Sequence, residues 1–540
     1  MEEKKSRLWR QVLQVVLGVV IGALATLSVY RYRETRHLMH MRNIDWCKLN
    51  LILDVVEKNY VDTLDKDGMT DAAITAALSR LDPHSVYLPP VQLEASEQEL
   101  QANFDGIGIQ FNVPNDTAIV LEVIAGGPAE KVGMLPGDRL LKVDDLVIAG
   151  VKFPQDSMVR HIKGPSGTTV CVTVKRGADI IPFDIIRGKI PMASMDAAFM
   201  LSDDIGYIRL GKFSRSTYKE CHQAALELKE KGMKHLIFDL RDNTGGYMDQ
   251  ALLLGNDFLA IADTIVYMEG LHRSREVFRA DGRGQLRDMD LTVLISENSA
   301  SASEIFAGAI QDNDRGTIVG RRSYGKGLVQ EPFYLSDNSG IRLTVARYYT
   351  PSGRCIQKPY GKNPSDYSYD LYHRYEDGEI FSADNVRLDS TDVHRTRSGR
   401  IVYGGGGIMP DVFVPMDTTR ATPFYVSCNR KTSQMRFAAA MFDKYVKTLP
   451  PIDNFGDLDA FLAKAGLPAQ FRAWVKRVDD LSCSDAEWAE TLPYLEPQLN
   501  ALVARYSRLG ENAFYKYYLP VDNTVTAALS HIQATNNQSL

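Results

Sequence analysis

The chain has 540 residues, enough for several domains of about 100 to 200 residues each. With 44% hydrophobic and 24% charged residues it has the composition of an ordinary globular protein, and a formal net charge of -6 leaves no basic surplus for a nucleic-acid partner. Cys47, Cys171, Cys221, Cys355, Cys428 and Cys483 are scattered with no C-x-x-C pair and no companion histidines, so no metal site is expected and they read as isolated packing residues.

In chain order, Gln11 to Tyr30 contains no charged residue. At about 1.5 Å per residue such a helix crosses a hydrocarbon core of roughly 30 Å. Lys4, Lys5, Arg7 and Arg10 before it favour a cytoplasmic N-terminus, against a weaker opposing bias from Arg31, Arg33 and Arg36. Residues 1–36 are therefore expected to be a stub and a single-pass anchor, with cleavage of a signal peptide near Ala23 and Ala25 as the alternative. Leu49, Ile52, Leu53, Val56 and Tyr60, then Ile74, Leu78 and Leu81, recur at helical spacing and predict a helical arm over 37–97, broken at Leu81-Asp82-Pro83-His84-Ser85.

Residues 98–177 change to short β-type runs such as Ala118 to Val123, Arg139 to Val143 and Thr169 to Val174, separated by Gly- and Pro-bearing turns. Within them, Gly106-Ile107-Gly108-Ile109 precedes a strand, and Gly126-Gly127-Pro128-Ala129 and Gly133 to Asp138 follow. Paired glycines let consecutive N–H groups converge on a carboxylate while the next strand edge accepts a peptide. The plainer reading is that these glycines only make turns. Residues 178–417 alternate strands with helices and predict an α/β body, and residues 418–540 predict a helical region without chemical signature.

Asn298-Ser299-Ala300-Ser301-Ala302-Ser303-Glu304 places hydroxyl residues at a strand-to-helix turn, where a side-chain oxygen sits beside the free N–H groups of a helix N-terminus. Helix capping by Ser299, Ser301 or Ser303 would explain the same residues. Downstream lies Gly320 to Gln330, whose lysine admits three readings. A phosphate loop from Gly320 to Lys326 lacks the hydroxyl residue after the lysine, where Gly327 stands. Ser323-x-x-Lys326 matches a penicillin-recognising pattern, but Gly325 and Gly327 oppose the helical turn it needs. The third pairs Lys326 with Ser301 as a catalytic dyad. A histidine base is disfavoured because no histidine lies beside Ser301 and His235 sits within an apolar run.

The sequence Ser299 to Glu304, with Gln311-Asp312, Val319-Gly320, Gly325-Lys326-Gly327 and Gln330, resembles the C-terminal processing (tail-specific) serine peptidases. Asp239 to Gly246, Tyr348 to Arg354 and Gly407 to Asp411 match that family in the same order, and the stretch from about Phe104 to Arg176 resembles a PDZ domain, including the Pro136-Gly137-Asp138 turn into Arg139 to Val143. The family more usually carries Thr and Phe where Ser323 and Tyr324 stand. The resemblance, over roughly residues 45 to 415, implies Ser301 as nucleophile, Lys326 as general base, Gln330 orienting the lysine, and the N–H groups of Ala302 and Gly246 as oxyanion donors, the motif itself leaving open whether Gly245 or Gly246 of the pair donates. It implies that Gly106, Ile107, Gly108 and Ile109 bind a substrate C-terminus, with no cofactor and no metal. The fold implied is a crotonase-like β-spiral α/β core with an inserted PDZ-like domain and helical flanks. The chain would be a dimer or other homo-oligomer anchored in the inner membrane, its catalytic part facing the periplasm and cutting flexible tails of envelope proteins.

Overall fold

The computed structural model describes residues 44–100, 103–113, 116–124, 126–361, 364–418 and 422–538, in two compact units that divide between Ala76 and Ala77. The span expected at Gln11 to Tyr30 lies outside the described residues, among which no helix is long and apolar enough to cross a membrane. The first unit carries helix Ile44–Asn59, on which Leu49, Leu51, Ile52 and Val55 are exposed, and most of helix Lys66–Leu78.

The second unit is α/β. Its central sheet runs Met195–Met200, Ile205–Leu210, His235–Asp239, Asp290–Ile295, Thr317–Gly320 and Val412–Phe413, the first pair antiparallel and the rest parallel. Strand residues alternate between its two faces. Ile208, Phe238, Val293 and Ile318 pack on one face with helices Thr217–Glu230, Met248–Phe258 and Ala302–Asp312. Tyr207, Ile237, Leu294 and Val319 pack on the other against Val525, Ala528 and Ile532 of the last helix, Asn523–Gln538. Each such side chain withdrawn from water contributes about 1.5–3 kcal/mol, so the C-terminal helix is part of the core's stability. A second sheet joins Val86–Leu88, Gly340–Tyr349, Thr264–Gly270 and Arg273–Arg279, with Leu328–Tyr334 pairing to Gly340–Tyr349. Residues 86–88, expected in the N-terminal arm, thus belong to the body.

The small β domain is an antiparallel sheet in the order Ile109–Asn112, Ala118–Val123, Arg139–Val143, Thr169–Arg176 and Asp179–Ile186 around Val120, Leu140, Met158 and Val172. Its last strand lies beyond the expected boundary at residue 177, because Asp179–Ile186 pairs along its whole length with Thr169–Arg176. A two-stranded ladder of Asn103–Gly106 with Gly188–Pro191 closes the ends of the insertion. Helices Pro423–Arg430, Ser433–Tyr445, Phe455–Ala465, Leu467–Asp479 and Asp485–Ala504 build a separate apolar core on Phe437, Phe471, Leu495 and Leu499.

Candidate active site

Strand Asp290–Ile295 delivers the chain to a turn at 296–301 and into helix Ala302–Asp312, with Ser301 at its N-cap. Ser301 has φ 57° and ψ -114°, a conformation that L-residues seldom adopt and that persists only where surrounding contacts impose it. Those contacts are present. Ser299 Oγ donates to Leu240 O (2.7 Å), Ser303 Oγ donates to Asn243 O (2.9 Å), and the Ala300 N–H donates to Asn243 O (3.0 Å). Two of the three serines that could have been simple helix caps therefore fasten the turn to the neighbouring 240–246 loop, and Ser301, half-buried, is left at the tip.

Glu304 is fully buried, and burial pushes its carboxyl up against four donors that pull it down. Its Oε2 accepts the main-chain N–H groups of Ser301 (2.9 Å) and Lys326 (2.8 Å). Its Oε1 accepts Ser323 Oγ (2.5 Å) and the Gly325 N–H (2.7 Å). The buried Tyr348 hydroxyl lies against the Ser301 carbonyl at 3.0 Å and against the Lys326 carbonyl. The main chains of Ser301 and Lys326, 25 positions apart, are thus joined twice, through one carboxylate and one phenol.

Lys326 Nζ donates to Gln330 Oε1 at 3.1 Å, and Gln330 Nε2 donates to His84 O at 2.5 Å. A backbone carbonyl can only accept, so His84 fixes which end of the Gln330 amide faces the lysine. The His84 turn is itself shaped by Asp82, whose Oδ1 accepts the N–H groups of His84 (2.9 Å) and Ser85 (2.9 Å). Burial, then the positive charge of Arg342, pushes the Lys326 ammonium below its ordinary value; the carboxylates of Glu304 and Asp82 oppose this only partly. Among the described residues no carboxylate forms an ion pair with its Nζ. Burial and Lys326 together lower the His84 imidazole to about 4, and its Nε2 lies 2.7 Å from the Tyr367 hydroxyl.

The 240–246 loop separates the two candidate glycine donors. The Gly245 N–H is spent on Asn243 Oδ1 (2.9 Å), while Phe213 bonds to Gly245 O (3.0 Å) and to the Tyr247 N–H (2.8 Å), so the Gly246 N–H points away from Phe213. A Cβ on Gly245 would lie 2.8 Å from Ser301 Cβ and 2.9 Å from the Ala302 nitrogen, which places the loop directly against the serine turn.

The remaining sequence readings fall elsewhere. Residues 321–327 form no helix, and the buried Ser323 donates to Glu304 while accepting from the Ile408 N–H (2.6 Å), so its hydroxyl is a structural link. The same non-helical course leaves no helix for a phosphate loop to open. His235 Nε2 contacts Thr292 Oγ1 at 2.9 Å within the sheet, not Ser301. Glu304, Tyr348 and His84 carry no catalytic signature in the sequence; the one local signal is Glu304 at the third helical position, where a capping box places an acidic residue. No group of His, Cys, Asp or Glu suited to a metal occurs among the described residues.

Gly106, Ile107, Gly108 and Ile109 line a cavity of about 330 Å³ in the small β domain, between strand Ile109–Asn112 and Val159, Ile162 and Lys163 of and beside helix Gln155–Ile162. The strand lies at the edge of its sheet. Such an edge offers main-chain hydrogen bonds to an added strand.

With this geometry in place, the comparisons fall into one class. A family model for peptidase family S41 matches residues 204–365, and one for the PDZ domain matches residues 106–186. The chain is 35% identical over 356 residues to the carboxy-terminal-processing protease of Bartonella bacilliformis, covering 64% of this chain and 80% of that one. It is 31% identical over 352 residues to a probable CtpA-like serine protease of Staphylococcus aureus strain N315, covering 64% and 70%. The photosystem II D1 C-terminal processing protease is 26% identical over 68% of this chain and 86% of that one, at a TM-score of 0.37 too loose to add to the assignment. The protein is a PDZ-containing peptidase. It belongs to family S41, among the C-terminal-processing serine proteases.

Proposed function

We propose that the chain is a serine endopeptidase that cleaves polypeptides near their C-termini through a Ser301/Lys326 dyad. The observation that carries this reading is the double tie of Ser301 and Lys326 through Glu304 and Tyr348, beside a lysine amine held by a neutral amide. A lysine can take the serine proton only when uncharged, which burial beside Arg342 and a neutral Gln330 favours. Neutral Lys326 accepts the Ser301 Oγ proton as the oxygen attacks the scissile carbonyl. The N–H groups of Ala302 and Gly246 hold the oxyanion. The lysine ammonium then protonates the departing amine, leaving an acyl-enzyme that water, activated by the same amine, hydrolyses.

The PDZ groove supplies the tail recognition: the carboxylate sits at Gly106 to Ile109 and the tail adds to strand Ile109–Asn112. The core is read as a crotonase-like β-spiral, which the run of parallel strands and intervening helices supports. The charge-free stretch Gln11 to Tyr30 supports a single-pass inner-membrane anchor with the peptidase in the periplasm, acting on tails of envelope proteins. The exposed Leu49, Leu51, Ile52 and Val55 support a homodimer through the N-terminal helix.

The test is digestion of an unfolded protein with an apolar C-terminus by the parent, Ser301→Ala, Lys326→Ala and Ser323→Ala, read by mass spectrometry of the fragments. The first two changes are expected to abolish cleavage and the third to leave acylation at Ser301. Cleavage surviving Ser301→Ala would sink the dyad, and a parent that binds the tail without cutting it would make the protein a binding scaffold.

A further inference from the structure

We propose that Asp522, in the C-terminal helical region, is a positioning residue for the catalytic loop, acting through Arg241. The proposal rests on the reading of residues 243–246 as the oxyanion loop. Strand His235–Asp239 ends in a fully buried carboxylate that accepts Tyr207 OH (2.7 Å), Arg209 Nη1 (3.0 Å) and Arg241 through its main-chain N–H (2.9 Å), Nε (3.0 Å) and Nη2 (2.6 Å). Burial would raise this carboxyl, but the two guanidinium groups hold it below the ordinary carboxylate range. The remaining arm of Arg241, Nη1, donates to both oxygens of Asp522 at 2.9 and 2.8 Å. The side chains of Arg241 and Asp522 are only 12% and 11% exposed, so the pair is shielded from the screening that weakens surface pairs.

Asp522 is also the start of the last helix: its Oδ1 accepts the N–H groups of Thr524 (2.9 Å) and Val525 (3.1 Å). One carboxylate therefore fixes both the helix that covers a face of the central sheet and the arginine at the entrance to the catalytic loop. Two residues after Arg241 stands Asn243, which donates to Leu210 O (2.8 Å), accepts the Gly245 N–H, and through its carbonyl holds Ala300 and Ser303. Arg209 also pairs with Asp196 (3.3 Å) and Asp242 (3.6 Å), whereas Arg241 is held by Asp239 and Asp522; removing Asp522 leaves Arg241 gripped from one side only, and the loop from 241 to 246 gains freedom where an oxyanion donor must be fixed in advance.

Asp522→Asn in the full chain tests this, because it retains a side-chain oxygen for the helix cap while removing the charge and one acceptor from Arg241. The expected result is a kcat about 10- to 100-fold lower at a KM within about twofold of the parent, and equally slower labelling of Ser301 by a small fluorophosphonate that does not use the PDZ groove. In an Arg241→Met background the same substitution should have no further effect. A parental kcat, a change confined to KM, or an equal kcat loss with Arg241 already replaced overturns the role. Should Asp522→Asn fail to fold, Asp522→Glu carries the test: it keeps the charge one methylene out of place, and a kcat loss of about threefold or more at unchanged KM is expected, whereas full parental kcat overturns the proposal. Activity surviving Ser301→Ala would instead overturn the dyad reading and this one with it; every other outcome named bears on Asp522 alone.

Discussion

Two glycine pairs sit at the two ends of the proposed reaction, and they are built to opposite standards. At the catalytic loop a Cβ on Gly246, φ +143°, would lie 2.0 Å from Phe213 O, and one on Gly245 would lie 2.7 Å from Ala300 O, both fixed backbone atoms. In the PDZ groove the nearest atom to a Cβ on Gly108 is the flexible end of Ile190 at 3.1 Å, and on Gly106 the Phe104 ring at 3.0 Å. The reactive turn is closed by the protein itself, because groups that stabilise a transient charge must be in place beforehand. The groove is open on its strand edge, as the proposed addition of a peptide strand there requires.

The harshest test of that contrast is Gly246→Ala against Gly106→Ala. The first is expected to lower kcat by about a hundred- to a thousandfold, in line with displacement of an oxyanion donor, while tail binding measured by calorimetry stays within a few-fold. The second should leave kcat alone; equal damage from both would erase the distinction. A second test is the pH dependence. If Lys326 is the base, as proposed, it must be uncharged, so kcat/KM should fall about tenfold per pH unit below the Lys326 pKa, and that inflection should lie below the ordinary lysine value near 10.4 because burial and Arg342 lower it. Tail binding should show no such limb.

Glu304→Gln sharpens the case for a pre-built turn. An amide places an NH2 group where two N–H donors converge, so the free energy of unfolding should fall by about 3 kcal/mol and activity should fall with it. His84 offers a smaller effect whose sign follows from its lowered pKa. A histidine that titrates near 4 when folded and near 6.5 when unfolded contributes fully above pH 6.5, and its contribution is lost as pH falls toward 4. The full shift would correspond to about 3 kcal/mol, and solvent reaching the half-buried ring reduces the expected loss to on the order of 2 kcal/mol by denaturant titration; His84→Gln should remove that pH dependence. The mildest change is Val159→Ser in the groove wall, which should weaken tail binding by about threefold to tenfold and leave kcat unaltered.

Much of the catalytic region was readable from local chemistry. Small hydroxyl residues after an apolar strand, a lysine flanked by glycines and apolar residues, and a following glutamine state what each position can do, and the order of the motifs gave the family. The strands at 118–123 and 139–143 followed from short β-type runs set between Gly- and Pro-bearing turns. Asp179–Ile186 falls beyond the expected boundary at residue 177 because isoleucines stand on both its faces, Ile180 and Ile186 exposed and Ile185 buried, so it shows no apolar–polar alternation and owes its place to pairing with its neighbour. The C-terminal region had helices but no reason to exist, since neither Ile532 against the sheet nor Asp522 against Arg241 leaves a trace within a local window.

The sequence by itself determined the residue types that can act as nucleophile, base and donor, because those are properties of single side chains and their immediate neighbours. Tertiary structure alone decided that Gly246 rather than Gly245 keeps its N–H from Asn243 and Phe213, that Glu304 and Tyr348 bring residues 301 and 326 together, that His84 orients Gln330, and that the last helix begins on the arginine of the catalytic loop. The physical reason is the same in each case: these are hydrogen bonds and ion pairs between segments far apart in the chain or hung on backbone direction, and their energies depend on a geometry that exists only once both sheets and the covering helices have packed.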